Sequence, residues 1–222
     1  MLRKISLLII LLVGIFAVSW CTKSWSEEWA KNLYNSGTKE YSMGNYEKAI
    51  SYFNEAIKYD SKNSTFYSTR GLTENKLGEL LGRIFKEEAL IHYNNAIKDF
   101  NKAIKLNSTS ASAYFWRWYA KNGLWDYNSA IEDYNKAIEL DPKLSDIYYN
   151  RGLAKYDAED YNGAIQDYNK AIEQGQNLAD TYYNRALTKH VLGWTNDTCP
   201  DLQKASDLGN KYSPTVFKKW CK

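Results

Sequence analysis

Apolar and polar positions along this chain alternate with the period of a helix. Tyr127, Ala130, Ile131, Tyr134, Ala137 and Ile138 recur at intervals of three, one, three, three and one, which draws a single stripe along one helical face. Asp141-Pro142 interrupts the stripe, because proline lacks the N–H that a helix interior requires and is tolerated where a helix begins. Ser145, just after, is a candidate N-cap for the next helix. The pattern then returns. YNSAIEDYNKAIE at Tyr127 reappears as YNGAIQDYNKAIE at Tyr161, 34 residues later, with earlier versions at Tyr46 (YEKAISYFNEAIK) and Tyr93 (YNNAIKDFNKAIK). YYNRGLAK at Tyr148 and YYNRALTK at Tyr182 keep the same spacing. A period of this length marks one supersecondary unit that cannot hide its own apolar face and must stack on its neighbours.

These phrases resemble the tetratricopeptide repeat family. The resemblance implies an all-α fold of tandem helix-turn-helix repeats, a right-handed solenoid with a C-terminal capping helix. It also implies that the first helix of each repeat (helix A) lines a concave face. The repeats are expected at about 30–63, 64–110, 111–144, 145–178 and 179–210, with a linker at 20–29 before them and a cap at 211–222 after them. Gly37 takes the family's small-residue position, opposite Ala49, where two backbones must approach closely.

The second repeat departs from the pattern. From Gly71 to Ala96 is 25 residues where the regular repeats have 12, and the excess falls within 79–91. Leu80, Leu81, Ile84, Phe85, Ala89, Leu90 and Ile91 keep a helical stripe there, so the insertion is expected to lengthen one or both helices, by about 20 Å in all. Gly78 and Gly82 would mark the bend. In the third repeat Trp118 stands in the small-residue position, amid Tyr114, Phe115, Trp116 and Tyr119. These rings are expected to pack on the stripe of the insertion, the competing reading being an exposed aromatic patch. The second half of repeat five keeps only Ala205 of the Tyr/Ala pattern; after it, Gly209 suits a helix end and Ser213-Pro214 a last short helix whose Val216, Phe217 and Trp220 cover the stack.

The N-terminus carries an address. Met1 to Lys4 is basic, Ile5 to Val18 is an apolar run, and Ala17-Val18-Ser19 offers small residues, which is the pattern of a signal peptide over 1–19. An uncleaved anchor is the alternative, and lipidation of Cys21 a third reading, against which Trp20 stands where a small residue is usual. The protein is therefore expected to be exported: periplasmic, membrane-anchored or secreted. In such a compartment Cys199 and Cys221 are expected to form a disulfide. Without residues 1–19 the chain has 27 bases against 26 acids, interspersed, which leaves no electrostatic footprint for nucleic acid.

No catalytic constellation is legible. His92 and His190 lack a partner at helical metal-ligand spacing, and there is neither a Gly-rich phosphate loop nor a nucleophile elbow. The expectation is a non-enzyme with no metal and no cofactor. Acids such as Glu132 and Asp133 recur in helix B and read as solvating residues. Arg70, Arg117, Arg151 and Arg185 recur in helix A and read as pairing with helix acids between repeats. By the family's register the partner-binding face holds Tyr34, Ser68, Phe115, Tyr149 and Tyr183 in one row and Tyr119, Leu153 and Leu187 in the next. Asp146 and Asp180 stand near the helix starts, with Asn75, Asn122, Tyr156 and His190 toward the ends. Aromatic rows with a few amides and acids suit a peptide or a partner protein. The alternative is a membrane-anchored adaptor that assists assembly or secretion of an envelope complex. The Lys and Asn with which some relatives clamp chaperone tails are replaced by Tyr34 and Thr38.

Overall fold

The computed structural model describes residues 25–144 and 146–221. Among them there is no strand, and the helices follow one another in packed pairs. In chain order they are α1 (25–42), α2 (Tyr46–Tyr59), α3 (Ser64–Leu81), α4 (Lys86–Leu106), α5 (Ala111–Gly123), α6 (Tyr127–Leu140), α7 (Ile147–Asp157), α8 (Tyr161–Glu173), α9 (Leu178–Val191), α10 (Thr198–Asp207) and α11 (Ser213–Trp220). A single 3₁₀ turn, Thr195–Asp197, leads into α10. The chain forms two compact bodies, one ending at Ser108 and the other beginning at Thr109. Side-chain caps open several helices: Asp126 and Asp160 accept from the backbone N–H of Ser129 and Gly163, and Asn63 from that of Thr65.

In the N-terminal body α1 pairs with α2 and α3 with α4. The predicted stripes face inward: Ala49, Phe53 and Ala56 of α2 and Ala96, Phe100 and Ala103 of α4 are fully buried. At the small-residue position Gly37 lies under the ring of Phe53, one turn along α2 from Ala49, and a Cβ there would come within 2.6 Å of the ring. Gly71 meets Phe100 in the same way. The insertion lengthens both helices, to 18 residues in α3 and 21 in α4, where α5 to α9 have 11 to 14. The bend is at Gly82 to Phe85; Gly78 lies inside α3, where its missing side chain admits the ring of Tyr93. The segment expected as a linker is helical from Trp25 on, and Trp25 and Trp29 are exposed. Residues 1–24, which hold the signal, anchor and Cys21 readings, and Ser145, the N-cap candidate, lie outside the described residues.

In the C-terminal body the hairpins are α5/α6, α7/α8 and α9/α10, followed by α11. Gly152 seats Tyr168 as Gly37 seats Phe53. Trp118 breaks the rule by placing its indole against Tyr134, ring centroids 4.3 Å apart, and it is only 5% exposed. Its neighbours Tyr114, Phe115 and Tyr119 are half-buried against that pair, so in this body the rings of α5 are mostly packing. Repeat five hides its pattern by substitution. Leu202 occupies the position of Tyr168, fully buried, and Ala186 stands where Gly152 stands.

Candidate functional site

The hairpins α3/α4, α5/α6, α7/α8 and α9/α10 are held by a recurring arginine clamp, which the first hairpin, with Ser36 and Tyr52 at those positions, lacks. Arg151 of α7 donates from Nε to Asp167 Oδ2 at 2.8 Å and from Nη2 to Asp167 Oδ1 at 2.5 Å, while Nη1 reaches Asn135 of the preceding α6 at 2.8 Å. Arg185 repeats this with Asp201 and Asn169, and Arg70 with Asp99 and Asn54. Arg117 forks onto Asp133. Lys121, Lys155 and Lys189, one turn after the arginine, add a second cation to Asp133, Asp167 and Asp201 at 2.8–2.9 Å. Every guanidinium also lies over the tyrosine three residues before it, at 5.2–5.7 Å from the ring centre. Pairing between repeats is thus corrected: the acid belongs to the arginine's own hairpin, and the amide arm is what crosses. Asp133 is likewise corrected, being 3% exposed, whereas its neighbour Glu132 faces water.

The α3/α4 hairpin varies the clamp. Glu74 stands in the lysine position and meets Nδ1 of His92 at 2.6 Å. Asp99 has no second cation at that position, and burial pushes its carboxyl above the usual range against the pull of Arg70.

With the clamps confined to other positions, the predicted binding residues sit half-buried on helix A. Phe115 and Tyr119 lie on α5, Tyr149 and Leu153 on α7, Tyr183 and Leu187 on α9, all in the C-terminal body; Tyr34 lies on α1 in the other. Several also carry structural contacts. Tyr34 shares a hydrogen bond with Thr69 at 3.1 Å and stacks on Phe66 at 5.0 Å, which ties α1 to α3. Phe115 meets Trp118 and Tyr134 near 6 Å. The Tyr149 hydroxyl accepts from Asn184 Nδ2 at 3.2 Å, joining α7 to α9, and burial pushes its pKa up to about 12.

The last hairpin is partly covered. Tyr212 approaches Tyr183 at 6.2 Å, and Trp220 stacks on His190 at 3.6 Å. Cys221 beside it is bonded to Cys199, with Cα atoms 5.7 Å apart. Sequence reasoning missed Tyr212. Its signal was the period: Tyr212 falls 34 residues after Leu178, the first residue of α9, so α11 stands in sequence as a truncated sixth helix A.

The arrangement offers surfaces for stacking and hydrogen bonding. Among the described residues no three of His, Cys, Asp and Glu gather as a metal site. The clefts are open, such as one of about 490 Å³ beside Lys143, Asp146 and Gln176 and one of about 400 Å³ beside Tyr34 and Phe66. No helix among the described residues is long and apolar enough to cross a membrane.

Two family models match. The one described as TPR repeat covers 126–158 and 152–193, and the one described as tetratricopeptide repeat covers 30–63. No curated protein matches the chain at a significant level. Among solved structures, the crystal structure of MamA protein is similar over 84% of this chain and 95% of that one, with 24% identity and a TM-score of 0.71. YrrB, described as a TPR protein with an unusual peptide-binding site, aligns over 84% of this chain and 90% of its own at 19% identity, TM-score 0.68. The first TPR of Spaghetti (RPAP3), bound to the HSP90 peptide SRMEEVD, covers 59% of this chain and 93% of its own at 22% identity, TM-score 0.52. At these identities the likeness is one of fold.

Proposed function

We propose, because the chain belongs to the tetratricopeptide repeat family, that it is a non-catalytic scaffold outside the cytoplasm that binds a peptide or partner protein on its helix-A faces. One observation carries this reading. In the C-terminal body helix A is fixed by the arginine clamp and the small-residue contact, and the same helices hold Tyr149, Leu153, Tyr183 and Leu187 half-buried at their surface, Tyr149 with a hydrogen bond to Asn184 that sets its ring in place. Half-buried aromatic and aliphatic side chains on rigid, clamped helices present contact area at low entropic cost. That YrrB and RPAP3 are described with peptides supports the class of ligand and does not identify it. Chaperone-tail binding is not proposed: in the position of the missing lysine, Tyr34 is engaged by Phe66 and Thr69.

The test uses a partner recovered by crosslinking in native cells. Tyr149→Ala with Tyr183→Ala should weaken its binding at least tenfold while the helical circular dichroism is kept. Unchanged affinity would move the site off these helices. A second reading, the membrane-anchored adaptor, is favoured by the exposure of Trp25 and Trp29 directly after the apolar N-terminal segment and Cys21.

A further inference from the structure

α1 turns two indoles away from its own hairpin. Trp25 is 73% exposed and Trp29 55%. Four residues apart on a helix, they lie one above the other with Asn32, on the side opposite Ala30 and Tyr34. The inward side is complete without them: Ala30, Ala56 and Phe66 are buried, and Leu33, Tyr34 and Ile57 pack against them. The exposed residues Glu28 and Lys31 give the indoles a polar border.

The chain places this pair close to whatever holds the N-terminus. The apolar run ends at Val18, seven residues before Trp25, and Cys21 is four residues before it. Even fully extended, those stretches reach no further than about 25 Å and about 14 Å. Trp25 is therefore tied close to the bilayer surface by an anchor of either kind. An indole has an apolar body and a polar N–H, and it concentrates at the headgroup level of membranes for that reason. Two indoles cover at most about 500 Å², short of the roughly 800 Å² that each partner gives to a standard protein–protein contact. A headgroup layer asks for no such matching surface.

We propose that Trp25 and Trp29 seat the start of α1 in the headgroup layer of the membrane that holds the N-terminus, so that the first hairpin rests on lipid. The inference rests on the anchored reading of the N-terminal segment, by membrane run or by lipid on Cys21. The seat limits how the N-terminal body can swing about its tether.

The experiment takes the full chain, purified from cells in detergent with its N-terminus as the cell leaves it, and reconstitutes it into phosphatidylcholine–phosphatidylglycerol vesicles. The lipids carry bromine either near the headgroups or at mid-chain. Every sample has Trp20→Phe, so that the indole next to the anchor adds no signal. The emission of Trp25 and Trp29 is the difference between this chain and the same chain with W25F and W29F, a pair of replacements that leaves the buried face of α1 untouched. Headgroup bromine should quench that difference at least twofold, and mid-chain bromine less. A chain that floats with the vesicles but shows no quenching of the difference overturns the seat and leaves the anchor standing. A chain that does not float with the vesicles overturns the anchored reading, and the seat with it.

Discussion

Asp167 shows how much of this fold rests on single buried charges. Its side chain is 4% exposed and accepts from both Arg151 and Lys155. Replacing it by asparagine leaves two cations facing a neutral amide in a water-poor site, and breaking a buried pair in this way costs about 3 kcal/mol or more. Asp167→Asn should lower stability by that order in urea unfolding. The tyrosines make a second prediction, in pH. Burial raises the Tyr149 hydroxyl from its ordinary value near 10 to about 12, and it raises Tyr134 and Tyr168 as well. Their preference for the neutral form stabilises the folded chain fully below pH 10, where the unfolded tyrosines are also neutral. That contribution is lost as pH climbs from 10 toward 12 and beyond, because the unfolded chain then releases protons that the folded one keeps. Absorbance titration at 295 nm should show these groups ionising only with unfolding, whereas Tyr149→Phe should lessen the fall in stability between pH 10 and 12.

For the element, the question is what lets helix A lie against helix B. Two solutions occur side by side. Gly152 accepts the ring of Tyr168, and a Cβ at Gly152 would meet that ring at 2.6 Å. Repeat five instead pairs Ala186 with Leu202, both fully buried. Gly152→Ala alone should therefore destabilise by about 1–3 kcal/mol through overpacking. Combined with Tyr168→Leu, which copies repeat five, the cost should be well below the sum of the two single changes, a coupling that a double-mutant cycle would measure. Additive costs would mean that the two positions do not share one space. The small residue was legible in the sequence, since its spacing is fixed. The ring that fills the space beside it was not, because Ala49 and Phe53 lie one helical turn apart on the same stripe and only the crossing of the helices decides which side chain reaches over Gly37. The same limit hid the clamp. Arg151 and Asp167 are 16 residues apart, and the sequence of α8 does not say whether Asp167 or a neighbouring polar residue turns inward.

At the scale of the whole molecule, the ends differ from the middle. The C-terminal end is stapled: Cys199–Cys221 closes a loop of 22 residues, worth about 3 kcal/mol by chain entropy, and holds Trp220 on His190. Reducing the disulfide, or replacing both cysteines by serine, should increase acrylamide quenching of Trp220 in a chain that has Trp220 as its only tryptophan on this end, with Trp194→Phe, while α5 to α8 keep their amide protection. The sequence by itself determined the helices, the 34-residue period, the lengthened second hairpin and the pairing of the two cysteines, because each is written in spacing along one chain: 3.6 residues per turn, one hairpin per period, one pair of thiols at one end. Only the tertiary structure decided which acid each arginine holds, that Trp118 packs on Tyr134, that Tyr34 and Phe115 spend part of their surface on packing, and that Tyr212 lies over the last hairpin. Those outcomes depend on how helices cross and on which side chain wins a shared volume, and neither quantity has a period that a linear sequence can display.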